Sequence, residues 1–459
     1  MSIEPRSEVV VIGAGLAGCE AAWQLAERGV PVRLLEMKPE RNSQAHRSPD
    51  FAELVCSNSL GSNATENGKG LLKEELRLLG SLIVRCADQS AVPAGGALAV
   101  DRERFSALVT KKILEHRNIE TVCTEVMDFP QHEYFIIATG PLTGQKLSEA
   151  IAAELGQEQL FFYDAAAPIL SLSSIDESKT FRASRYGHGD DDYINCPMDE
   201  ATYERFVDAL LEAETAQMRE FENLKLFEGC MPVENMAHRG RDTLRFGPLK
   251  PKGLADPATG REPYAVVQLR QDNAEGTRFN MVGFQTRLKQ PEQRRVFGMI
   301  PGLRDAEFLR YGMMHRNTFI RSPGLLDGTY SIGGDRKRYF AGQITGVEGY
   351  VESVSSGYVA GLNAALAVLG NPAVKFPTTT MIGALANHAA AYMGGEFQPM
   401  NANFGILDPF PNKPRIGKRE RYIKMAERAL DAVREIQAGI EQIPIQKTEA
   451  KDVMIGVVG

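Results

Sequence analysis

The sequence predicts an α/β protein, with a two-dinucleotide-binding (Rossmann-like) domain into which an α+β domain is inserted. A glycine-rich turn lies between an apolar strand and a helix near the N terminus, and apolar strands that end in small-residue turns recur much later. In the stretch 146–324 these signals stop, and strands mix with a long helical segment. We therefore expect a discontinuous nucleotide-binding domain at 1–145 and 325–459 and an inserted α+β domain at 146–324.

The composition excludes several classes of protein. A chain of 459 residues is too long for one small core and indicates two or three domains. Its net charge of −7 requires that any nucleic-acid partner be held by a local basic patch. The six cysteines form no CxxC pair, so we expect neither a metal site nor a secreted disulfide framework. Without a signal-peptide pattern or a long apolar run, we expect a cytoplasmic protein with no membrane contact.

The glycine-rich turn has the context of a dinucleotide fingerprint. An apolar strand over 8–12 leads into Gly13, Gly15 and Gly18, and a helix follows at once. In this fingerprint the first glycine makes the tight turn, the second admits the diphosphate, and the third lets helix pack on strand. Glu36 ends the second strand, about 20 residues later, where the fingerprint expects an acid on a ribose hydroxyl.

Two later segments indicate that the dinucleotide is FAD. The strand YFIIATG ends at Gly140, which would lie beside the adenosine half of the ligand. RYFAGQITGVEG carries Gly342 and Gln343 and precedes a helix, as in flavoproteins where such a turn holds the ribityl chain and the flavin pyrimidine edge. The dipole of that helix favours electron density at this end of the flavin.

Two cysteines stand in settings that suit a reactive thiol. Cys56 lies among small polar residues in ELVCSNS, whereas a structural cysteine normally has apolar neighbours. Cys230 lies in FEGCMPVE, ahead of Arg239 and Arg241, whose charge would lower a thiol pKa. Three of the other cysteines lie in helix or strand patterns and are expected to be buried: Cys19, Cys86 and Cys123. Cys196, with a proline and an apolar flank, is expected to be structural.

Long motifs across the chain resemble one enzyme family. The segments AHRSPDFAELVCSNS, FEGCMPVENMAHRG, GPLKPKGL, FNMVGFQT, MHRNTF, AGQITGVEGY and MNANFG together look like the folate- and FAD-dependent tRNA uracil-5 methyltransferases. The resemblance implies methylation of uridine C5 in the T loop of tRNA, with 5,10-methylenetetrahydrofolate as carbon donor and FAD, reduced by NAD(P)H, as reductant. It assigns Cys230 as the nucleophile that adds to uracil C6 and Cys56 as the general base; the swapped assignment stays open.

Further ligand contacts are expected from residue type. Tyr350, next to the flavin turn, would stack on the ring or gate the uracil, or else belong to the core. A pterin needs in-plane hydrogen bonds and its glutamate tail a cation, so the folate candidates are Gly283, Arg287, His315, Arg316 and Asn317.

A basic segment near the C terminus is the candidate RNA contact. Its cations are opposed only by Glu420 and Glu427, although such clusters are often just solvated helix faces. The cations are Lys413, Arg415, Lys418, Arg419, Arg421, Lys424 and Arg428. The target uridine would be flipped out of its loop to reach the thiols.

Four alternatives remain open from the sequence. The same chemistry could act on a ribosomal RNA uridine, or the chain could be a wobble-uridine-modifying FAD relative with a protein partner. A small-molecule FAD oxidoreductase would use Cys56 as a redox thiol, but CxxC and CxxxxC pairs are absent. A catalytically silent flavoprotein that binds RNA would bind tRNA equally well without either cysteine. Protein partners are not indicated.

Overall fold

The structure is a computed structural model that describes residues 7–157, 160–187, 190–216, 231–395, 397–412 and 416–443, with the backbone alone at 160–164 and 315–316. The strands are, in chain order, β1 (Val9–Ile12), β2 (Val32–Glu36), β3 (Ser59–Ser62), β4 (Ala91–Val92), β5 (Ala97–Val100), β6 (Ile119–Cys123), β7 (Tyr134–Ile137), β8 (Leu160–Ala166), β9 (Ile169–Ser171), β10 (Phe181–Arg182), β11 (Tyr193–Met198), β12 (Ala265–Gln271), β13 (Arg278–Met281), β14 (Phe308–Arg310), β15 (Met313–Phe319), β16 (Ser331–Ile332) and β17 (Asp335–Phe340). The helices are α1 (Leu16–Glu27), α2 (Gly68–Leu78), α3 (Leu82–Gln89), α4 (Arg102–Leu114), α5 (Gln145–Leu155), α6 (Glu200–Glu212), α7 (Val233–His238), α8 (Thr243–Phe246), α9 (Gln290–Phe297), α10 (Tyr350–Val368), α11 (Met381–Ala391) and α12 (Lys418–Glu441).

A six-stranded, mostly parallel sheet confirms the predicted nucleotide-binding fold. Its order is β6-β2-β1-β7-β17-β16, and only β16 runs antiparallel to its neighbour. The central strand β1 is buried along its whole length, as expected for a strand covered on both faces. The carboxyl ends of β1, β7 and β17 therefore meet at one edge, where ligands of such sheets bind.

Two helices that follow these strands pack unusually closely. In α10, a Cβ at Gly357 would lie 2.3 Å from the carbonyl oxygen of Ala17, and one at Gly361 would lie 2.6 Å from that of Ala21. Only glycine permits this contact between α10 and α1, and it sets the third turn of α10 against the first turn of α1. Both helix N termini thus lie at the carboxyl edge of the sheet.

The middle of the chain forms a second body with its own core. Its antiparallel sheet has the order β10-β11-β12-β13-β9-β14, and α6, α7 and α9 contribute to its buried cluster. The chain connects the two bodies through β8 and β15, which pair with each other. Because Leu147, Ile151 and Ile320 pack in the first core, we propose that the insertion runs from β8 to β15, a little shorter than 146–324.

Two smaller features complete the description. β3, β5 and β4 form a short antiparallel sheet directly after the Cys56 segment. In the long helical segment expected within 146–324, the structure places α6, which ends at Glu212. Within the described ranges, no helix is both long and apolar enough to cross a membrane.

Candidate active site

The three fingerprint glycines differ in the space around them. A Cβ at Gly13, where φ is +96°, would lie 2.8 Å from the carbonyl oxygen of Ala138, and one at Gly18 would lie 1.8 Å from that of Gly13. A Cβ at Gly15 would have no atom within 4 Å. Gly13 and Gly18 are therefore required by the fold itself, whereas Gly15 leaves open space at the N terminus of α1. That space suits a diphosphate.

A cleft of about 690 Å³, open mouth included, extends from this turn. It is lined by the ends of β1 and β2 and by the segments 124–126 and 138–144. Glu36 lies in it, and its carboxylate accepts from the backbone N–H groups of Ala14 at 2.7 Å and Lys38 at 3.0 Å. Gly140 has φ +68°, in the turn that follows β7. The structure thus brings together the fingerprint, Glu36 and the Gly140 turn.

The second glycine turn lies against the first. Gly342, at φ +85°, follows β17, and a Cβ there would lie 3.0 Å from the Ala17 Cβ on α1. Its N–H donates to Ser356 Oγ at 2.7 Å, and the Gln343 amide donates to Glu348. Helix α10 begins a few residues later at Tyr350. Both predicted FAD turns therefore share one edge of the sheet.

Tyr350 joins α10 to the Cys56 segment. Its hydroxyl oxygen accepts from the backbone N–H of Cys56 at 2.9 Å and of Ser57 at 3.1 Å. Burial, and next the nearby Cys56, raises the pKa of Tyr350, so the hydroxyl stays protonated. The half-buried Cys56 thiol lies 3.5 Å from the carbonyl oxygen of Ala165 on β8. Sequence reasoning anticipated the partial exposure of this thiol but not the hydroxyl that orients its backbone.

The second body also holds the Cys56 segment. Arg270, buried on β12, donates through Nε to Asn58 Oδ1 at 2.9 Å and through Nη2 to Ser57 Oγ at 2.8 Å. Asn58 in turn donates to the carbonyl oxygens of Val100 and Gln271. The position of the Cys56 backbone is therefore set by groups of both bodies.

A buried lysine fixes the strand that follows. The Lys73 ammonium group donates to three consecutive carbonyl oxygens of β3, at 2.6 to 3.2 Å: those of Leu60, Gly61 and Ser62. Burial lowers the pKa of Lys73 to about 7. The segment from Cys56 to Ser62 is thus held by hydrogen bonds from Tyr350 and Arg270 at its first end and from Lys73 at its second.

Arginines beside Cys56 were missed by sequence reasoning. Arg102 donates through Nε to both carboxylate oxygens of Asp272, at 3.0 and 3.1 Å, and through Nη1 to the Leu54 carbonyl. Arg102 and Arg310, the latter on β14, both line a second cleft, separate from the one at the glycine turn. The available signal was the placement of Arg270 and Asp272 at the end of an otherwise apolar strand pattern, where a buried charge needs a reason.

Cys230 lies outside the described residues, but the segment after it is placed. Val233 N–H donates to the Gln285 carbonyl at 2.7 Å, and the buried Glu234 accepts from Thr286 Oγ1 at 2.9 Å and from the Arg287 N–H at 2.8 Å. Burial raises the pKa of Glu234. This network anchors the chain that leaves Cys230 to the loop before α9.

The charge expected beside Cys230 is partly engaged elsewhere. Arg241 donates to Glu204 and Asp208 of α6, each at 2.7 Å, so its charge is already compensated. Carboxylates one helical turn apart on α6 suit a guanidinium well, and the expected effect of Arg241 on the Cys230 thiol stays a prediction.

The folate candidates fall into two groups. Gly283, at φ +77°, packs on Pro248, and Arg287 lies with its Nε 3.8 Å from Glu234. His315, Arg316 and Asn317 occupy β15, which pairs with β8 so that Met314 faces Ala165. Asn317 is buried. The structure therefore brings the β15 backbone next to the strand that contacts Cys56, and holds Arg287 near the Cys230 segment.

Of the basic segment, Lys413 and Arg415 lie outside the described residues. Lys418, Arg419 and Arg421 form the first turn of α12, where positive charge opposes the helix dipole and gains nothing for helix stability. Arg419 pairs with Glu66 at 3.0 Å, in the loop after β3. Arg428, in contrast, donates to the carbonyls of Asp408 and Pro409 and packs on a ring, as a structural residue does.

The remaining cysteines behave as expected with one exception. Cys19, Cys86 and Cys196 are buried, and burial raises the pKa of Cys86 to about 11 and of Cys196 to about 12. Cys123 was expected to be buried but is exposed. It ends β6, an edge strand of the parallel sheet, so only one neighbouring strand covers it.

Known proteins are similar to this chain over most of its length. A family model described as glucose inhibited division protein A matches residues 8–372. A methylenetetrahydrofolate--tRNA-(uracil-5-)-methyltransferase of Acetivibrio thermocellus is 61% identical over 93% of this chain and 97% of its own, and the same-named protein of Geobacter sulfurreducens is 59% identical over 92% and 97%. Two crystal structures of Aquifex aeolicus GidA, 17% identical, superpose with TM-scores of 0.69 and 0.67, covering 96% and 95% of this chain and 76% and 78% of theirs.

Proposed function

The chain belongs to the methylenetetrahydrofolate--tRNA-(uracil-5-)-methyltransferases, within the family described as glucose inhibited division protein A, and from this membership we propose that it methylates C5 of a uridine in the T loop of tRNA. The carbon comes from 5,10-methylenetetrahydrofolate. The observation that carries the proposal is the half-buried Cys56 thiol, tied by Tyr350 to the turn and helix of a dinucleotide cleft. A cytoplasmic location stays a prediction.

The residues at the sheet edge fit FAD. The open space at Gly15 and the N terminus of α1 would take the diphosphate, Glu36 a ribose hydroxyl, and the turn after β7 the adenosine half. Gly342, Gln343 and the start of α10 would hold the ribityl chain and the pyrimidine edge. Bound FAD, reduced by NAD(P)H, supplies the reducing equivalents that convert the transferred carbon into a methyl group.

We assign the two chemical roles at uracil, nucleophile and general base, to two cysteine thiols. C5 is a poor nucleophile until a thiolate adds to C6, and we assign that thiolate to Cys230. A base must then take the C5 proton, and we assign it to Cys56, whose backbone is fixed by Tyr350 and Arg270. C5 of this adduct takes the methylene carbon of the folate, and loss of the C5 proton with expulsion of the Cys230 thiolate restores the C5=C6 double bond. The bond between that carbon and the folate nitrogen breaks when the carbon is reduced to a methyl group, and tetrahydrofolate leaves. Arg287 and β15 supply the folate contacts, and the first turn of α12 supplies phosphate contacts.

Label transfer tests the proposal. Purified protein with bound FAD is mixed with NAD(P)H, methylene-labelled methylenetetrahydrofolate and either unmodified tRNA or unmodified ribosomal RNA, and modified uridines are mapped. We expect label in a single T-loop uridine of tRNA, at C5. Label in ribosomal RNA alone would move the activity to the alternative substrate, and absence of label from both RNAs would overturn the proposal.

A further inference from the structure

A second cleft lies between the two bodies, next to Cys56. It encloses about 1230 Å³, open mouth included, and its lining comes from the segments 47–54, 101–106, 272–278 and 309–310. Arg102 reaches from it to the carbonyl oxygen of Leu54, two residues before Cys56, at 2.7 Å. A group bound in this cleft would therefore lie close to the Cys56 segment.

Two buried N–H groups of this cleft have no acceptor among the described residues. They are Nη2 of Arg102 and Nε of Arg310. Arg310 has one long hydrogen bond, from Nη2 to the Ala45 carbonyl at 3.5 Å, and no ion pair within the described part of the chain. Buried polar groups in proteins are almost always hydrogen-bonded, so two such donors in one cleft call for an acceptor.

The carboxylates around the cleft are already engaged. Asp272 binds Arg102 Nε, and Glu53 accepts from the backbone N–H groups of Arg47 and Ser48 at 3.1 Å. Asp101 caps α4 and accepts from Ala274, and Glu103 pairs with Arg278. Among the described residues these acids form no direct hydrogen bond or ion pair with Arg310, although the charge of Glu53 acts on it.

Three arginines, Arg47, Arg102 and Arg310, bring positive charge together in this cleft. Burial, and next the positive charges of Arg102 and Arg47, lower the pKa of Arg310. Guanidinium groups held together against their repulsion are stabilised when an oxyanion lies between them, because their planar N–H groups match carboxylate and phosphate oxygens.

We propose that Arg102 and Arg310 form an oxyanion-binding seat beside Cys56, which takes a carboxylate or phosphate group of one of the two substrates. The identity of those substrates rests on the proposed function; the seat rests on the geometry above. The folate co-substrate carries carboxylates on its glutamate tail, and tRNA carries phosphates. Both sources present the same chemistry to the arginines, and binding assays separate them.

The test uses the FAD-bound protein and its Arg310→Gln and Arg310→Lys variants. The matched control is Arg278→Gln, since Arg278 lines the same cleft but already pairs with Glu103. Calorimetry measures Kd for tetrahydrofolate, for 6-methyltetrahydropterin, which lacks the benzoylglutamate tail, and for a T-arm RNA hairpin at several salt concentrations. FAD affinity is measured in parallel on the apoproteins.

Loss of one charge-assisted contact should weaken binding by about 10- to 100-fold in Arg310→Gln. A carboxylate seat gives this loss for tetrahydrofolate and none for 6-methyltetrahydropterin; a phosphate seat gives it for the hairpin, with a shallower salt dependence. Arg310→Lys should recover part of the loss, and Arg278→Gln should bind like the wild type.

The inference is overturned if Arg310→Gln binds all three probes normally, if it weakens both pterins equally, or if it loses FAD. These readouts measure binding without turnover. A chain that transferred no label to any uridine would refute the proposed function and leave this test intact.

Discussion

An added methyl group should destabilise the fold at Gly18 and weaken FAD binding at Gly15. In Gly18→Ala the new Cβ would lie 1.8 Å from the Gly13 carbonyl oxygen, so α1 must move off the sheet, at a cost of about 3 kcal/mol or more of the unfolding free energy. In Gly15→Ala no atom lies within 4 Å, and φ −74° and ψ −171° suit alanine. Its cost to the apoprotein should stay below about 1 kcal/mol, as for alanine at an N-cap.

FAD affinity, in contrast, should fall in Gly15→Ala, the variant whose stability changes little. A methyl group at Gly15 fills the space assigned to the diphosphate, and such overpacking costs about 1–3 kcal/mol, roughly a 5- to 150-fold rise in Kd. Urea unfolding of the apoproteins measures the stabilities, and flavin fluorescence on titration with apoprotein measures Kd. A Gly15→Ala protein that bound FAD like the wild type, or a Gly18→Ala apoprotein of unchanged stability, would refute this assignment of the glycine turn.

Three further changes are predicted from contacts at and around the site. Tyr350→Phe removes the acceptor of two N–H groups, so it should cost about 1–3 kcal/mol of stability and lower kcat more than FAD affinity, as urea unfolding and steady-state kinetics measure. Glu75, buried on α2, accepts from the backbone N–H groups of Met381 and Ile382, and burial raises its pKa from 4.5 to about 8, so the folded state holds a proton that the unfolded state loses. The wild type should therefore lose stability relative to Glu75→Gln as pH rises from about 4.5 to about 8, by urea unfolding across that range. Changing Lys418, Arg419 and Arg421 together to Glu should weaken tRNA in filter binding and reduce the salt slope by about 2–3.

Each of these outcomes can fail separately. A Tyr350→Phe enzyme with full activity would remove the hydroxyl from any role at Cys56. A stability difference between wild type and Glu75→Gln that stayed constant with pH would show that Glu75 titrates normally. Unchanged tRNA affinity in the triple variant would show that the first turn of α12 is a solvated helix face that does not contact RNA.

The parts of the site that the sequence predicted are those set by local geometry. Gly13 and Gly18 are fixed by clashes with atoms a few residues away or on the adjoining strand, so their spacing alone indicates the turn. The exposure of Cys56 followed from its polar neighbours. The assignment of Cys230 still depends on the resemblance, since that residue lies outside the described part of the chain.

The parts that were missed depend on distant segments. Arg270 hydrogen-bonds Asn58, 212 positions away in sequence, and Arg102 hydrogen-bonds Asp272, 170 positions away. No local sequence pattern predicts either pair. Cys123 was wrongly expected to be buried because the strand order, which places β6 at an edge, is not visible in its own segment.

Covalent trapping tests the division of labour between the two thiols most directly. A T-arm RNA with 5-fluorouridine at the target position, mixed with methylenetetrahydrofolate and reduced enzyme, cannot lose its C5 substituent as a proton and stays bound to the nucleophile. We expect a denaturation-resistant RNA adduct with the wild type and with Cys56→Ala, and none with Cys230→Ala. An adduct formed by Cys230→Ala but not by Cys56→Ala would contradict the account and make Cys56 the nucleophile.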